Sequence, residues 1–592
     1  MEENIPCNKC SGKIKTIFSI KTISAYFEYY FIKLQPMKKF LPFLLIVIST
    51  LIRTIAAAQI TIDLKQQGKP LLPVWAHFGY DEPNYTYMKD GKKLLTEIAA
   101  LSPVPVYVRC HNLLTTGDGT PALKWGSTNA YTEDPNGNPV YDWHIVDSIF
   151  DTYIQRGMKP LAEIGFMPEA LSTHPQPYRH YWKPGVKYDS IYTGWSYPPK
   201  NYKKWSELIY QWVRHSIERY GEAEVKTWLW EVWNEPNISY WKGTPEEYFM
   251  IYDYAADAVK KALPAALIGG PATTGPGWDK AATWLQSFLV HCTEEKNYAT
   301  GKKGAPLDFI SFHAKGSPKV VNGHVQMNMS SQLNDVKRGF EIVAASPYKQ
   351  LPIYVTECDP EGCAACGMAT NPENAYRNGT MYSSYTAASF ARIYDLAERY
   401  EVNLQGLTSW SFEFENQKWF DGFRDLATNG IDKPVLNVFR IYGLMQGNRI
   451  NVENSNEIPL DSVVKNSVHG SRADLDALAT THKNTASIMI WNYYDADSVR
   501  DASIVNVTIK NIPSKKILLQ HYRIDKEHSN SYEAWKKMGS PQNVSDEQYK
   551  QLEQAGQLQL LTSPEWVNVI NGEATIHFVL PAQGVSLLRI MW

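Results

Sequence analysis

The chain has 592 residues, a formal net charge of −2 and 19 Trp, 36 Tyr and 20 Phe. That length exceeds one average domain but accommodates a (β/α)8 barrel of about 250 residues or more beside one accessory module. Residues 1–58 carry eight Lys or Arg against three Asp or Glu, which leaves the remainder at −7 and excludes a basic nucleic-acid-binding surface.

The first element is a processing signal. Met37, Lys38 and Lys39 form a basic start, an apolar run follows over 40–48, and Ala56, Ala57 and Ala58 precede Gln59. This order is that of a secretory signal peptide. The run is too short to span a bilayer comfortably, and Arg53 interrupts its extension. The expectation is a secreted or periplasmic protein with no membrane attachment after cleavage, residues 1–36 being dispensable for folding.

Residues 59–64 alternate as a strand that can join a later sandwich. From 72 to 446, β-type runs at 72–78, 105–109, 159–164, 227–233, 266–270, 307–312, 353–356 and 405–410 alternate with helical patterns such as 142–156, 202–220, 245–263 and 374–400. Eight strands with helices between them predict an α/β fold, a parallel (β/α)8 barrel. After Gly447 the rhythm changes to short β segments at 485–493, 503–509, 517–524, 573–579 and 585–591, a β-sandwich pattern interrupted by a helical or loop-like stretch at 529–555. The expected domains are 1–58 extension and signal, 59–71 N-terminal strand, 72–450 barrel and 451–592 sandwich.

Two strand ends carry chemistry. Residues 228–237 read Trp-Leu-Trp-Glu-Val-Trp-Asn-Glu-Pro-Asn, so an apolar strand stops at Asn234-Glu235-Pro236 and leaves a carboxyl group on the catalytic face of a barrel. Asn234 is placed to donate to a sugar hydroxyl beside the reacting bond. Residues 351–357, Leu-Pro-Ile-Tyr-Val-Thr-Glu, supply a second carboxylate, Glu357, across the barrel. Two carboxyl groups about 5–5.5 Å apart leave no room for an intervening water, and one then acts as nucleophile.

These strand ends resemble glycoside hydrolase clan A. Further segments resemble glycoside hydrolase family 39: Val108-Arg-Cys-His111 with Asn112-Leu-Leu114, Leu123-Lys-Trp-Gly126, Leu161-Ala-Glu-Ile-Gly-Phe-Met-Pro168, Gly269-Gly-Pro-Ala272 and Asp308-Phe-Ile-Ser-Phe-His313. The resemblance spans about 70–450. It implies a retaining glycosidase of the β-xylosidase and α-L-iduronidase family, with Glu235 as acid/base, Glu357 as nucleophile, an oligosaccharide as partner and no metal or organic cofactor. Such an enzyme protonates the glycosidic oxygen through Glu235 while Glu357 attacks, and Glu235 then activates water. An exo-acting β-xylosidase on plant cell-wall oligosaccharides is the leading expectation. The alternatives are an α-L-iduronidase-like or α-L-arabinosidase activity and, in another class, a non-catalytic sugar-binding barrel, against which both glutamates speak.

Supporting residues leave alternatives open. Arg109 holds Glu357 ionised or forms a purely structural ion pair; His111 bonds a sugar hydroxyl; His313 faces the same cavity; Glu163 backs the site from the third strand. Trp410 forms an apolar floor or packs in the core. Family 39 xylosidases tend to place Tyr two residues after the histidine matching His313, whereas this chain has Lys315, closer to the iduronidase pattern. Lys315 therefore reads either as a partner for a substrate carboxylate or another anionic group, or as a solvated loop residue. Among the five cysteines after residue 58, Cys358, Cys363 and Cys366 cluster in one loop, which lacks the ligands for a closed zinc site and suits a disulfide or packed thiols.

Overall fold

The structure is a computed structural model that describes residues 57–66, 68–470 and 472–592, and the export signal read at 37–58 lies almost wholly outside them. Residues Ala57–Trp592 form one compact unit.

Eight parallel strands close a barrel: His77–Tyr80, Tyr107–Cys110, Lys159–Ile164, Leu229–Val232, Leu267–Thr273, Phe309–Lys315, Ile353–Asp359 and Leu404–Trp410, the last pairing back onto the first. Among the barrel strands the largest departure from the sequence reading is the first, expected at 72–78. There Pro73 lacks a donor, and Val74 and Ala76 donate to Leu72 and Pro73 within a turn, so pairing starts only at His77. The expected helix at 374–400 starts at Thr380; Pro372–Asn378 is a 3-10 turn whose Arg377 and Asn378 bond loop carbonyls at Cys363, Cys366 and Phe420.

Helix Tyr202–Tyr220 shows why the outer ring forms. Asn201 accepts from the backbone N–H groups of Lys203 and Lys204, Gly221 stops the helix at φ 85°, and Trp205, Leu208, Ile209, Trp212, Val213 and Ser216 face the barrel. In helix Pro245–Ala262, Thr244 and Glu247 make a capping box behind a proline-led first turn.

The barrel interior is layered. Near its N-terminal end Leu161, Leu229 and Phe309 pack with Tyr107, Leu267 and Tyr354. Two residues further along the strands the interior turns polar, with Arg109, Glu163 and Glu231 in direct contact. The next layer is the mouth of the barrel.

Beyond Gly447 the chain builds two facing sheets. One orders Val452–Asn454, Ala58–Asp63, Ser503–Lys510 and Ala574–Leu580; the other contains Asn448–Ile450, Asp474–His482, Thr485–Tyr493, Val585–Met591 and Lys516–Ile524. Ile60, Ile62, Val507 and Ile509 of the first pack on Leu475, Ile488, Ile490 and Leu588 of the second. Strand Asn448–Ile450 already belongs to this sandwich, so the barrel ends before 450. The stretch read as helical or loop-like contains helices Ser531–Lys537 and Asp546–Gly556, which seat Trp535 and Leu552 on Phe420 and Ile431 of the barrel's last loop.

Candidate active site

Backbone shape delivers both glutamates to the mouth. After the fourth strand Trp233 and Glu235 adopt φ values of 70° and 44°, and the Glu235 N–H donates to the Ala272 carbonyl at 2.8 Å. Left-handed backbone at non-glycine residues costs energy and concentrates at functional turns. In the seventh strand a register shift between Val355 and Glu357 sets Glu357 opposite His313. One oxygen of Glu235, one of Glu357 and a ring nitrogen of His313 thereby lie within 4.8 Å of one another. His313 Nδ1 is 2.9 Å from Glu235 Oε1 and 3.7 Å from Glu357 Oε1.

Cations converge on Glu357. Arg109 Nη1 approaches Oε1 at 3.2 Å, His111 Nε2 approaches the same oxygen at 3.5 Å, and Lys315 Nζ binds Oε2 at 2.7 Å. Burial opposes ionisation, but His313, Lys315, His111 and Arg109 together hold the carboxyl well below its ordinary value. Arg109 also binds Glu231 at 2.5 Å and Glu163 at 2.8 Å, and its Nη2 donates to Asn234 Oδ1 at 3.0 Å. Because guanidinium only donates, Asn234 must turn its oxygen to Arg109, which leaves the NH2 group to donate elsewhere. His111 binds Glu163 through Nδ1 at 2.5 Å; although burial disfavours its cation, Glu163, Glu357 and Asp81 push it up to about 9.

Lys315 is not a solvated loop residue. Its ammonium bridges Glu357 and Asp359, at 2.7 Å each, on the wall of the cavity, while its backbone N–H donates to Asp335. Its cationic form is favoured despite burial because those two carboxylates flank it. Trp410 lies in the cavity wall, its ring 4.8 Å from the Arg109 guanidinium carbon. Gly79 makes room for it, since a Cβ there would stand 2.4 Å from the indole. Cys363 and Cys366 form a disulfide and Cys358 is a buried free thiol, with Gly362 and Cys363 on the cavity rim.

Asp81 and Lys124 escaped the sequence reading as site residues. Both line the cavity of about 220 Å³ that holds Glu235, Glu357, Lys315 and Trp410, walled further by Tyr188, Tyr192 and Tyr240. The available signals were Asp81-Glu82-Pro83 after the first strand and the lysine within Leu123-Lys-Trp-Gly126. Neither says that the two segments meet.

Glu235, Glu357 and His313 are close enough to chelate an ion. With guanidinium on one Glu357 oxygen and ammonium on the other, however, that carboxylate is already compensated, and the donor set does not call for a metal.

Paired carboxylates at opposite strand ends of a (β/α)8 barrel, over a small cavity, define a glycoside hydrolase. The profile of "Glycosyl hydrolases family 39" matches residues 58–568, and the chain belongs to that family. It is 31% identical over 463 residues to a β-xylosidase of Caldicellulosiruptor saccharolyticus, covering 76% of this chain and 83% of that enzyme. It is 23% identical over 571 residues to an α-L-iduronidase of Mus musculus, covering 90% and 80%. The crystal structure of a monomeric β-xylosidase from Caulobacter crescentus superposes with a TM-score of 0.69 at 23% identity, over 90% of this chain and 99% of that one, and shares the fold.

The site's protons predict a stability profile. Burial pushes Glu82 up from 4.5 to about 8 and Asp335 up from 3.8 to about 7, and His111 rises from 6.5 to about 9. All three bind a proton more tightly folded than unfolded, so each one's contribution is full below its unfolded value and lost as pH rises through its folded value. The melting temperature is expected to fall between pH 6.5 and 9, and His111→Gln to flatten the upper part of that fall. Calorimetry over this range that showed a rising melting temperature would contradict the assignment.

Proposed function

We propose that the protein is a retaining, exo-acting β-xylosidase that removes single xylosyl residues from plant cell-wall oligosaccharides. The observation that carries this reading is one cavity in which an oxygen of Glu235 and an oxygen of Glu357 lie within 4.8 Å, with each lining cation already bonded to a carboxylate. Separations of about 6.5–9.5 Å serve inversion through a water, so the shorter gap favours direct attack by Glu357, with Glu235 as acid and then base. At about 220 Å³ the cavity is smaller than the ~300–1,000 Å³ of drug-sized pockets and suits one monosaccharide, which favours exo action.

Charge separates the xylosidase from the iduronidase reading. Lys124 is bonded to Asp81, and Lys315 to Glu357 and Asp359. Each ammonium is thus already charge-compensated, so a uronate would add an unbalanced negative charge to the cavity, whereas a neutral pentose adds none. The basic-apolar-small pattern at 37–58 supports export to a compartment where such oligosaccharides occur.

The test is turnover of 4-nitrophenyl β-D-xyloside, α-L-arabinoside, β-D-glucoside and 4-methylumbelliferyl α-L-iduronide, with the product anomer followed by NMR. The xyloside is expected to give the highest kcat/KM and β-xylose as first product. A first product of inverted configuration, or preference for the iduronide, would overturn the proposal.

A further inference from the structure

Beside the catalytic carboxylates the cavity wall carries a second charged pair that the reaction itself does not need. Lys124 Nζ is hydrogen-bonded to Asp81 Oδ2, and the Tyr188 ring lies 5.2 Å from the ammonium. Asp81 Oδ1 is 3.2 Å from both Trp410 Nε1 and His111 Nε2. Burial works against the charged form of Asp81, yet Lys124 and His111 hold it below its ordinary value, and Asp81 in turn favours the Lys124 cation.

The pair is built at some cost. Lys124 has a left-handed φ of 59°, although it is not glycine, and its backbone N–H is clamped by Glu82 Oε1 at 2.5 Å. Consecutive residues after the first strand thus hold one lysine at both ends, Glu82 at the backbone and Asp81 at the ammonium. The side chains of Lys124 and Asp81 are 4% and 6% exposed. A buried ion pair contributes little to stability, and replacing one with apolar packing is often neutral or better.

What the pair offers the cavity is hydrogen-bonding capacity. A carboxylate has about four acceptor positions and an ammonium three donors. Asp81 uses positions on Trp410, His111 and Lys124, which leaves one acceptor; Lys124 gives one donor to Asp81 and shares its remaining face with Tyr188. An acceptor beside a donor is the chemistry that reads two neighbouring hydroxyls.

Position selects which hydroxyls. His111 spans the gap, with one ring nitrogen 3.5 Å from Glu357 Oε1 and 3.2 Å from Asp81 Oδ1. Asp81 and the attacking oxygen thus flank the same imidazole nitrogen, within reach of one sugar ring. With Asn234, whose oxygen is taken by Arg109, assigned to the hydroxyl beside the reacting bond, the Asp81–Lys124 pair on the cavity wall is left for the far edge of the ring.

We infer that Asp81 and Lys124 are the specificity-determining pair of the sugar pocket, Asp81 accepting from and Lys124 donating to the 3- and 4-hydroxyls of a neutral pyranose. This rests on the neutral-pentose reading above and deepens it. The pair discriminates sugars that differ only at carbon 4, such as β-D-xylose and its 4-epimer α-L-arabinopyranose.

The experiment measures kcat/KM for 4-nitrophenyl β-D-xyloside, its 3-deoxy and 4-deoxy analogues and the 4-epimeric arabinopyranoside, with the full chain and with Lys124→Met and Asp81→Asn. Hydrogen bonds to charged groups contribute roughly 1.5–3 kcal/mol, so the unaltered enzyme should lose about 10- to 100-fold on at least one deoxy analogue and on the epimer. Each variant should lose a similar factor on the xyloside but little more on the analogues, so that the deoxy and epimer penalties collapse.

Penalties that persist undiminished in both variants would overturn the inference, as would an equal loss on every substrate together with a lowered melting temperature. The two variants guard against one failing to fold, Asp81→Asn keeping the shape. Failure of the xylosidase reading shows separately, in the unaltered enzyme, as another glycoside preferred over the xyloside; the same deoxy series on that glycoside then decides the pair.

Discussion

Glu357→Ala is expected to lower kcat on 4-nitrophenyl β-D-xyloside by about 10⁴-fold or more, the loss typical of removing a nucleophile that acts as a unit with its partners. Four groups are arranged around that carboxylate: Arg109, His111, His313 and Lys315 lie between 2.7 and 3.7 Å from its oxygens. They hold it ionised, ready to attack, and they explain why the substitution leaves an electropositive gap. A small anion such as azide should enter that gap from the vacated face and attack the anomeric carbon. The expected product is a glycosyl azide of inverted configuration, with turnover partly restored. Glu357→Gln keeps the shape but not the space, so it should be equally slow and respond less to azide. Removing the charge leaves Arg109 and Lys315 short of a partner, which lowers the melting temperature and must be measured alongside. Near-normal turnover by either variant in a folded protein would remove Glu357 from the mechanism.

The barrel was legible because its code is local. Alternating apolar runs and helical patterns placed strand Lys159–Ile164 and helix Tyr202–Tyr220 to the residue. The first strand was not, since the apolar residues at 72–76 form a turn that Pro73 imposes. Strands Asn448–Ile450 and Asp474–His482 were missed for different reasons: the first is a three-residue strand whose partner, Ala479–Thr481, lies well down the chain, and the second, though a hairpin neighbour of Thr485–Tyr493, carries Asp474 and Asp476 inside its β run.

The same division runs through the site. Asn234-Glu235-Pro236 and Thr356-Glu357 announce themselves because a carboxylate at the end of an apolar strand is a local pattern. Lys315 was visible as a departure, yet its role depends on Glu357 and Asp359 in the neighbouring strand, which a linear reading does not supply. For Arg109, spacing alone left a catalytic and a structural reading. The geometry joins them, one guanidinium binding Glu163, Glu231, Glu357 and Asn234 together. Asp81 and Lys124 lay furthest from view, being 43 residues apart and meeting only where the loops after the first two barrel strands fold over the mouth.

Glu235→Ala should behave differently from the nucleophile variant, and the difference is diagnostic. General acid catalysis contributes about 10²–10⁴-fold, and its share depends on how badly the leaving group needs a proton. For an unactivated xylobiose linkage the variant should lose the full factor. For a dinitrophenyl xyloside, whose leaving group departs without protonation, formation of the glycosyl-enzyme should proceed at close to the normal rate. Its hydrolysis still lacks the base, so the covalent intermediate should accumulate and KM should fall with kcat. Azide needs no base; here it attacks the intermediate from the side Glu235 occupied, and the product should be a glycosyl azide of retained configuration. His313, at 2.9 Å from Glu235 in the folded enzyme, loses its partner but keeps Glu357 at 3.7 Å, which favours survival of the rest of the site. Opposite azide stereochemistry in the two alanine variants assigns the two carboxylates. The same configuration from both, or equal losses of Glu235→Ala on activated and unactivated substrates, would mean that Glu235 is not the acid.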